Sequence, residues 1–94
     1  MAGVDFDVAL EVLSVARGAC GHWARVVVLD ERDGKPHQLA LTCVDGVSRF
    51  VSAEQVMGVD VSRVKARAGV ERVTSRVADE LVQLAVFDDV RYPV

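Results

Sequence analysis

The alternation of apolar and polar residues is clearest between residues 23 and 51, where two Asp-Gly pairs interrupt it. Asp33-Gly34 and Asp45-Gly46 lie twelve residues apart, and each is flanked by apolar runs. Asp-Gly favours two-residue hairpin turns, because both central positions take positive φ at low cost. The pattern therefore predicts an antiparallel meander of three strands, or of four if a later segment adds an edge strand.

A two-residue loop at Asp33-Gly34 fixes the pairing of the first two strands, because facing residue numbers then sum to 67. Pro36 falls opposite Glu31 at a site without a ladder hydrogen bond, where its missing N–H costs nothing. One face of the hairpin is apolar and should be the core, whereas the other is mixed. The apolar face pairs Val28 with Leu39, Val26 with Leu41 and Ala24 with Cys43, and the mixed face pairs Arg25 with Thr42, Val27 with Ala40 and Leu29 with Gln38.

The assumed register makes two further predictions. It places His37 opposite Asp30, a pair that suits general-base chemistry if a nucleophile lies nearby and is otherwise a surface contact. A two-residue loop at Asp45-Gly46 places Phe50 opposite Leu41, in the core.

The first element is predicted to be a helix that Asp5 caps and Gly18 ends. Its apolar positions recur at three- and four-residue steps and leave only a narrow polar strip. Such a helix either packs across a sheet and touches another helix, or lies in a subunit interface; the second interpretation is preferred. The interface candidates on this helix are Phe6, Leu10 and Leu13.

Residues 52–61 allow two interpretations. Ser52 and Gln55 have the spacing of a capping box, which predicts a short helix ending at Gly58. The same residues through Val61 could instead form a loop and an edge strand.

The last third of the chain is predicted to be one long helix, capped by Asp60 or Ser62 and ended by Asp88-Asp89. Gly69 marks the position at which this helix would bend or break. The complete prediction is a single α+β domain over residues 1–94, with both helices on one face of the sheet. The apolar stripe of the last helix comprises Val70, Val73, Val77, Leu81 and Leu84.

Charge is split along this last segment. Arginines crowd its beginning, and acidic residues, ending with Asp88 and Asp89, follow. A solvated helix face with local pairs such as Arg76 to Glu80 is one explanation. The others are antiparallel self-association of basic and acidic ends, with Asp88 and Asp89 as interface candidates, and phosphate contact by the basic end. The candidate phosphate- or partner-binding residues are Arg63, Arg67, Arg72 and Arg76.

Composition adds an argument for self-association. Among 94 residues there are 21 valines and only five aromatic residues, so the core consists of many small contacts. Pairing with another copy would help so small a domain, and a homodimer is expected. The net charge of −3 argues against a wholly basic, nucleic-acid-binding surface. No run reaches the 18 apolar residues of a membrane span, and the N-terminus lacks a basic signal region, so a cytoplasmic location without membrane contact is expected.

Catalytic and metal motifs are missing from the sequence. Cys20, His22, His37 and Cys43 could supply four zinc ligands, but their spacing matches no common structural zinc site, and no metal or cofactor is expected. No phosphate loop or nucleophile elbow is found. The sequence therefore favours a small non-catalytic, regulatory protein-binding module that works as a homodimer. The alternatives are a nucleic-acid-associated regulator that uses residues 63–76 and, third, an enzyme or metal-binding protein with its site at a subunit interface.

Overall fold

The structure, a computed structural model, describes residues 3–64 and 73–93. Its fold is α+β, with one sheet and two long helices, as the sequence predicts. Single 3-10 turns follow the first helix at Cys20–His22 and precede the last at Val61–Arg63. In chain order the elements are α1 (Phe6–Ala19), β1 (Ala24–Arg32), β2 (Lys35–Cys43), β3 (Ser48–Ser52), α2 (Ala53–Met57) and α3 (Ser75–Phe87).

The sheet is an antiparallel meander in the order β1-β2-β3, and the described residues form three strands rather than four. Asp33 and Gly34 have φ of 53° and 76°, as a two-residue turn with two positive φ angles requires. Residues 24–28 face residues 43–39, so the predicted register is confirmed over this part of the hairpin.

The register shifts near the tip of the hairpin, and two predicted pairs are wrong. The ladder skips Leu29 on β1 and His37 on β2, so that Asp30 faces Gln38. Such irregularities let extra residues leave the ladder and bend the strands. The ring of His37 instead lies against the ring of Phe6 on α1 in a T-shaped arrangement, with 5.5 Å between ring centroids. Asp30 and His37 therefore form no pair for general-base chemistry.

The second turn contains three residues, 44–46, where two are predicted. Gly46 donates its N–H to the carbonyl of Cys43 at 2.9 Å and has φ of 84°, and Cys43 N bonds Val47 O at 3.0 Å. A turn followed by a glycine at positive φ adds one residue to the loop. The one-residue slip moves every side chain of β3 to the opposite face. Phe50 consequently faces Ala40 on the outside of the sheet, and its predicted place in the core is wrong.

Helix α1 begins as predicted, because the Asp5 carboxylate accepts a hydrogen bond from Val8 N at 2.9 Å. It continues through Gly18 to Ala19, so Gly18 does not end it. The helix packs against β2 on one side and against α3 on another. Its narrow polar strip thus reflects packing within one chain, and the preferred interpretation as a subunit interface is not needed to explain it.

The capping box at Ser52 is confirmed. Gln55 N donates to Ser52 Oγ at 3.2 Å, and Ser52 N donates to Gln55 Oε1 at 2.8 Å. The helix that follows ends before Gly58. The alternative edge strand through Val61 is wrong.

Helix α3 is shorter than predicted within the described residues. Its N-cap is Thr74, whose Oγ1 accepts a hydrogen bond from Val77 N at 3.2 Å. Asp60 caps the preceding 3-10 turn through Ser62 N, so neither residue caps α3. The predicted end is confirmed, because Asp88 takes the left-handed conformation with φ of 59°. The predicted break at Gly69 lies outside the described residues.

The hydrophobic core lies between the helices and one face of the sheet. Leu39, Leu41 and Val51 project into it from β2 and β3 and are fully buried. The molecule measures 32 × 31 × 19 Å, and the short dimension corresponds to one sheet and one layer of helices. The two faces of the sheet therefore have different surroundings.

Candidate interaction surface

The outer face of the sheet, which we call the open face, carries an unexpected apolar row. Val27 on β1, Ala40 on β2 and Phe50 on β3 are neighbours across the three strands. Val27 and Phe50 are 53% and 54% exposed, and Leu29, which follows on β1, is 50% exposed. Antiparallel sheets with one solvated face normally place polar residues there. This row is the part of the surface that departs most from that pattern.

Neutral polar residues border the apolar row on both sides. Thr42 and Ser48 face each other toward one end, and Gln38 and Ser52 toward the other. Arg25, opposite Thr42, is the charged residue in the outward row next to Val27. The centre of the open face is thus uncharged.

Charges return at the hairpin end of this face. Arg32 Nη2 donates to Asp30 Oδ2 at 3.0 Å, which neutralises both groups locally. Glu31 turns toward α1 and lies 3.8 Å from Arg17. These charges are paired within the chain and do not extend into the apolar row.

The predicted interface residues on α1 are placed differently from one another. Leu10 and Leu13 are buried in the core and are not available to a partner. Phe6 remains partly exposed at the start of the helix and rests against His37. Helix α1 therefore offers a partner less exposed apolar surface than the open face does.

The acidic end of α3 has a partner within the chain. Arg63 binds the Asp88 carboxylate through Nη1 and donates from Nη2 to the Asp88 carbonyl at 2.6 Å. Asp89 is exposed. An acidic group at a helix C-terminus opposes the helix dipole, and Arg63 compensates for it.

The basic residues are only partly within the described structure. Arg76 donates from Nε to Glu80 Oε2 at 3.0 Å, as predicted for a local pair one helical turn apart. Arg63 is paired with Asp88, whereas Arg67 and Arg72 lie outside the described residues. Of the four candidate arginines, the structure describes Arg63 and Arg76, and both are paired with carboxylates of the same chain.

A buried polar network joins α3 to the chain around Trp23. Asp79 Oδ1 accepts hydrogen bonds from Trp23 Nε1 at 2.6 Å and from Gln83 Nε2 at 3.1 Å. The Gln83 amide also bonds both backbone groups of Tyr92, at 2.7 and 3.0 Å, and the Tyr92 ring stacks on Trp23. This network holds the C-terminal segment on the core. The periodicity of apolar residues along the chain does not predict this network. The sequence features that could have indicated it are the four-residue spacing of Asp79 and Gln83 and the need of the Trp23 indole N–H for an acceptor.

The residues considered as zinc ligands differ in burial. Cys20 and Cys43 are buried free thiols. Burial and the nearby Asp79 carboxylate raise the pKa of the Cys20 thiol far above its usual range. Among residues 3–64 and 73–93, no three His, Cys, Asp or Glu side chains are placed to hold a metal ion.

His22, Asp79 and Ser75 line a small cavity of about 310 Å³. Its Nε2 lies 3.1 Å from the Tyr92 carbonyl and 3.4 Å from Asp79 Oδ2, and its Nδ1 lies 3.2 Å from the Ala19 carbonyl. Both nitrogens therefore face oxygen acceptors. The contacts tie the imidazole to the C-terminal segment and leave neither nitrogen directed at Ser75.

Comparisons with known proteins are negative: no family model, no curated protein and no solved structure matches the chain. Within the described parts of the chain, no helix combines the length and the apolar character that crossing a membrane demands.

Proposed function

We propose that the chain is a small non-catalytic protein-binding module that acts through protein-protein contacts as a homodimer. The contact surface is the open face of the sheet, and its occupant is a second copy of the chain. The observation that carries this proposal is the apolar row formed by Val27, Ala40 and Phe50, which none of the described elements covers.

The area of the open face suits a weak dimer. Three strands about 4.8 Å apart, with about 3.3 Å per residue along each, give a face on the order of 400 Å² in projection. A stable interface buries about 800 Å² on each partner, so this one belongs to the small, reversible class. Burying apolar area on the order of 300 Å² on each copy provides about 15 kcal/mol in total. Association itself costs about 4–15 kcal/mol, and a cost of about 7 kcal/mol or more within that range gives a dissociation constant on the order of micromolar or weaker.

A second copy fits the charge distribution of this face. Because the centre of the open face is neutral, two copies can stack without bringing like charges together there. Two sheets in a sandwich pack about 10 Å apart with interdigitated side chains, and an isologous pair supplies the same patch twice. The small-residue core, with few aromatic anchors, is consistent with a chain that gains stability from its own copy.

Sedimentation over a concentration series tests the proposal. The protein is measured from about 1 μM to about 1 mM, the range that brackets a weak interface. We expect the mass to rise from monomer to dimer, and Phe50→Asp to remain a monomer throughout. Val44→Asp is the matched control, because Val44 is a 66% exposed apolar residue at the turn before β3, outside the apolar row. A wild-type protein that stays monomeric at the highest concentration would contradict the proposal.

The alternative, a nucleic-acid-associated regulator, draws on Arg63, Arg67, Arg72 and Arg76. Its support is weaker, because the two described arginines already bind Asp88 and Glu80. A mobility-shift assay at two salt concentrations separates the two functions. Phosphate contact would weaken steeply with salt and would be lost in Arg67→Ala, Arg72→Ala, whereas the open-face proposal expects no shift.

A further inference from the structure

We infer that the two copies stack about a two-fold axis that runs along β2, so that Phe50 of each copy packs on Val27 of the other. This inference rests on the proposed function, since it specifies how a second copy occupies the open face. Strand order provides the starting point. β2 is central, β1 and β3 are the edges, and Ala40 lies in the middle of the apolar row.

Only two orientations of an in-plane two-fold axis keep the strands of the copies aligned, as packed sheets prefer. An axis along β2 exchanges the two edges, so that β1 of one copy lies over β3 of the other. An axis along the apolar row reverses the strand direction and places each strand over its own equivalent. The two arrangements bring different side chains into contact.

Side-chain volume favours the axis along β2. In that arrangement the row Val27, Ala40, Phe50 meets the row Phe50, Ala40, Val27, so each phenyl ring packs on a valine and the small Ala40 faces itself. In the other arrangement both rings compete for one position, while two valines at the opposite edge leave space between them. Sheets at a constant separation of about 10 Å require facing side chains of similar summed volume. The mixed pairing satisfies this requirement.

Charge does not decide between the two arrangements. With the axis along β2, Arg25 lies over Ser48 of the other copy, at the border of the face. With the axis along the row, Arg25 lies over the end of β1 that carries Leu29 and Asp30, whose carboxylate is bound by Arg32 at 3.0 Å. The choice therefore rests on side-chain volume.

Cysteine cross-linking on the full chain distinguishes the arrangements. Val27→Cys and Phe50→Cys proteins are each treated with a short bismaleimide, alone and as an equimolar mixture, and Ala40→Cys is treated alone. We expect the mixture to give about tenfold more covalent dimer than either variant alone, because facing thiols have a high effective concentration. Ala40→Cys, which lies on the axis, should cross-link with itself. The wild-type protein is the control for the buried Cys20 and Cys43.

The outcomes separate this inference from the proposed function. If Val27→Cys and Phe50→Cys each cross-link alone and their mixture shows no excess, the axis runs along the row and our arrangement is wrong. If Phe50→Asp abolishes dimerisation in sedimentation but no variant cross-links, the arrangement is also wrong while the open face remains the interface. A wild-type protein that is monomeric at every concentration would overturn both proposals.

Discussion

The two faces of the sheet use the same three strands but have opposite surroundings. On the inner face Leu39, Leu41 and Val51 are fully buried under the helices. On the open face the apolar side chains of Val27 and Phe50 remain about half exposed. Helices of the same chain cover the inner face, whereas the open face is the one for which we propose a second copy as the cover. The difference shows that apolar content alone does not locate the core, because the covering helices decide which side is buried.

The largest expected effect is a difference in unfolding free energy between substitutions on the inner face and substitutions on the open face. Leu41→Ala removes a fully buried side chain and should lower the free energy of unfolding by about 2–5 kcal/mol. Phe50→Ala should change it by less than about 1 kcal/mol when the protein is dilute enough to be monomeric. Urea unfolding of both variants at low concentration measures the two values. Equal losses would mean that another part of the chain covers the open face.

The two turns show how far the sequence could predict this difference. Both contain Asp-Gly, and at the first turn Asp33 and Gly34 both take positive φ, which gives the expected two-residue loop. At the second, only Gly46 has positive φ, while Asp45 accepts a hydrogen bond from Val47 N. Asp-Gly is compatible with both the two-residue and the three-residue loop, so the sequence does not determine which of them forms. Because a shift of one residue changes the face of the sheet, the two-residue loop predicts a core position for Phe50, which instead lies on the open face.

The buried network could not be predicted for a different reason. Trp23 and Asp79 are 56 positions apart, and their contact depends on the tertiary fold, which brings α3 against the residue that precedes β1. A periodicity analysis assigns polar helix residues to the solvent side, and Asp79 and Gln83 are exceptions that the network stabilises. Helix caps depend on neighbouring residues, and the N-caps predicted at Asp5 and Ser52 are both confirmed.

The polar network should be nearly as sensitive as the apolar inner face. Asp79→Ala leaves Trp23 Nε1 and a Gln83 N–H without their acceptor, and we expect a loss of about 2–4 kcal/mol in unfolding free energy. Asp89→Ala, an exposed acid near the end of the same helix, is the control and should have little effect. Trp23→Phe should cost less in the Asp79→Ala background than in the wild type, because the lost hydrogen bond is shared. Additive losses would show that the two side chains are not coupled.

Cys20 should make stability depend on pH on the alkaline side. Its pKa is raised in the folded state, chiefly by burial and then by Asp79, whereas an unfolded thiol ionises near about pH 8.5. The contribution of Cys20 to the free energy of unfolding is therefore fully present below that pH. Above it the free energy of unfolding declines as pH rises, by at most about 1.4 kcal/mol per pH unit. Unfolding measured from pH 7 to 10 should show a steeper decline for the wild type than for Cys20→Ala. Identical slopes would exclude this thiol as the cause.

The ion pair at the end of α3 should have the smallest effect, and it tests which surface associates. Arg63 and Asp88 are both substantially exposed, so Arg63→Ala should lower the unfolding free energy by less than about 1 kcal/mol. If the open face forms the dimer, this variant should dimerise as the wild type does, and about 0.5 M salt should leave the dissociation constant nearly unchanged, since apolar contacts are not screened. If basic and acidic ends instead paired between copies, Arg63→Ala and added salt would both weaken association. Sedimentation of wild type and variant at low and high salt therefore compares the charged end of the molecule directly with its apolar face.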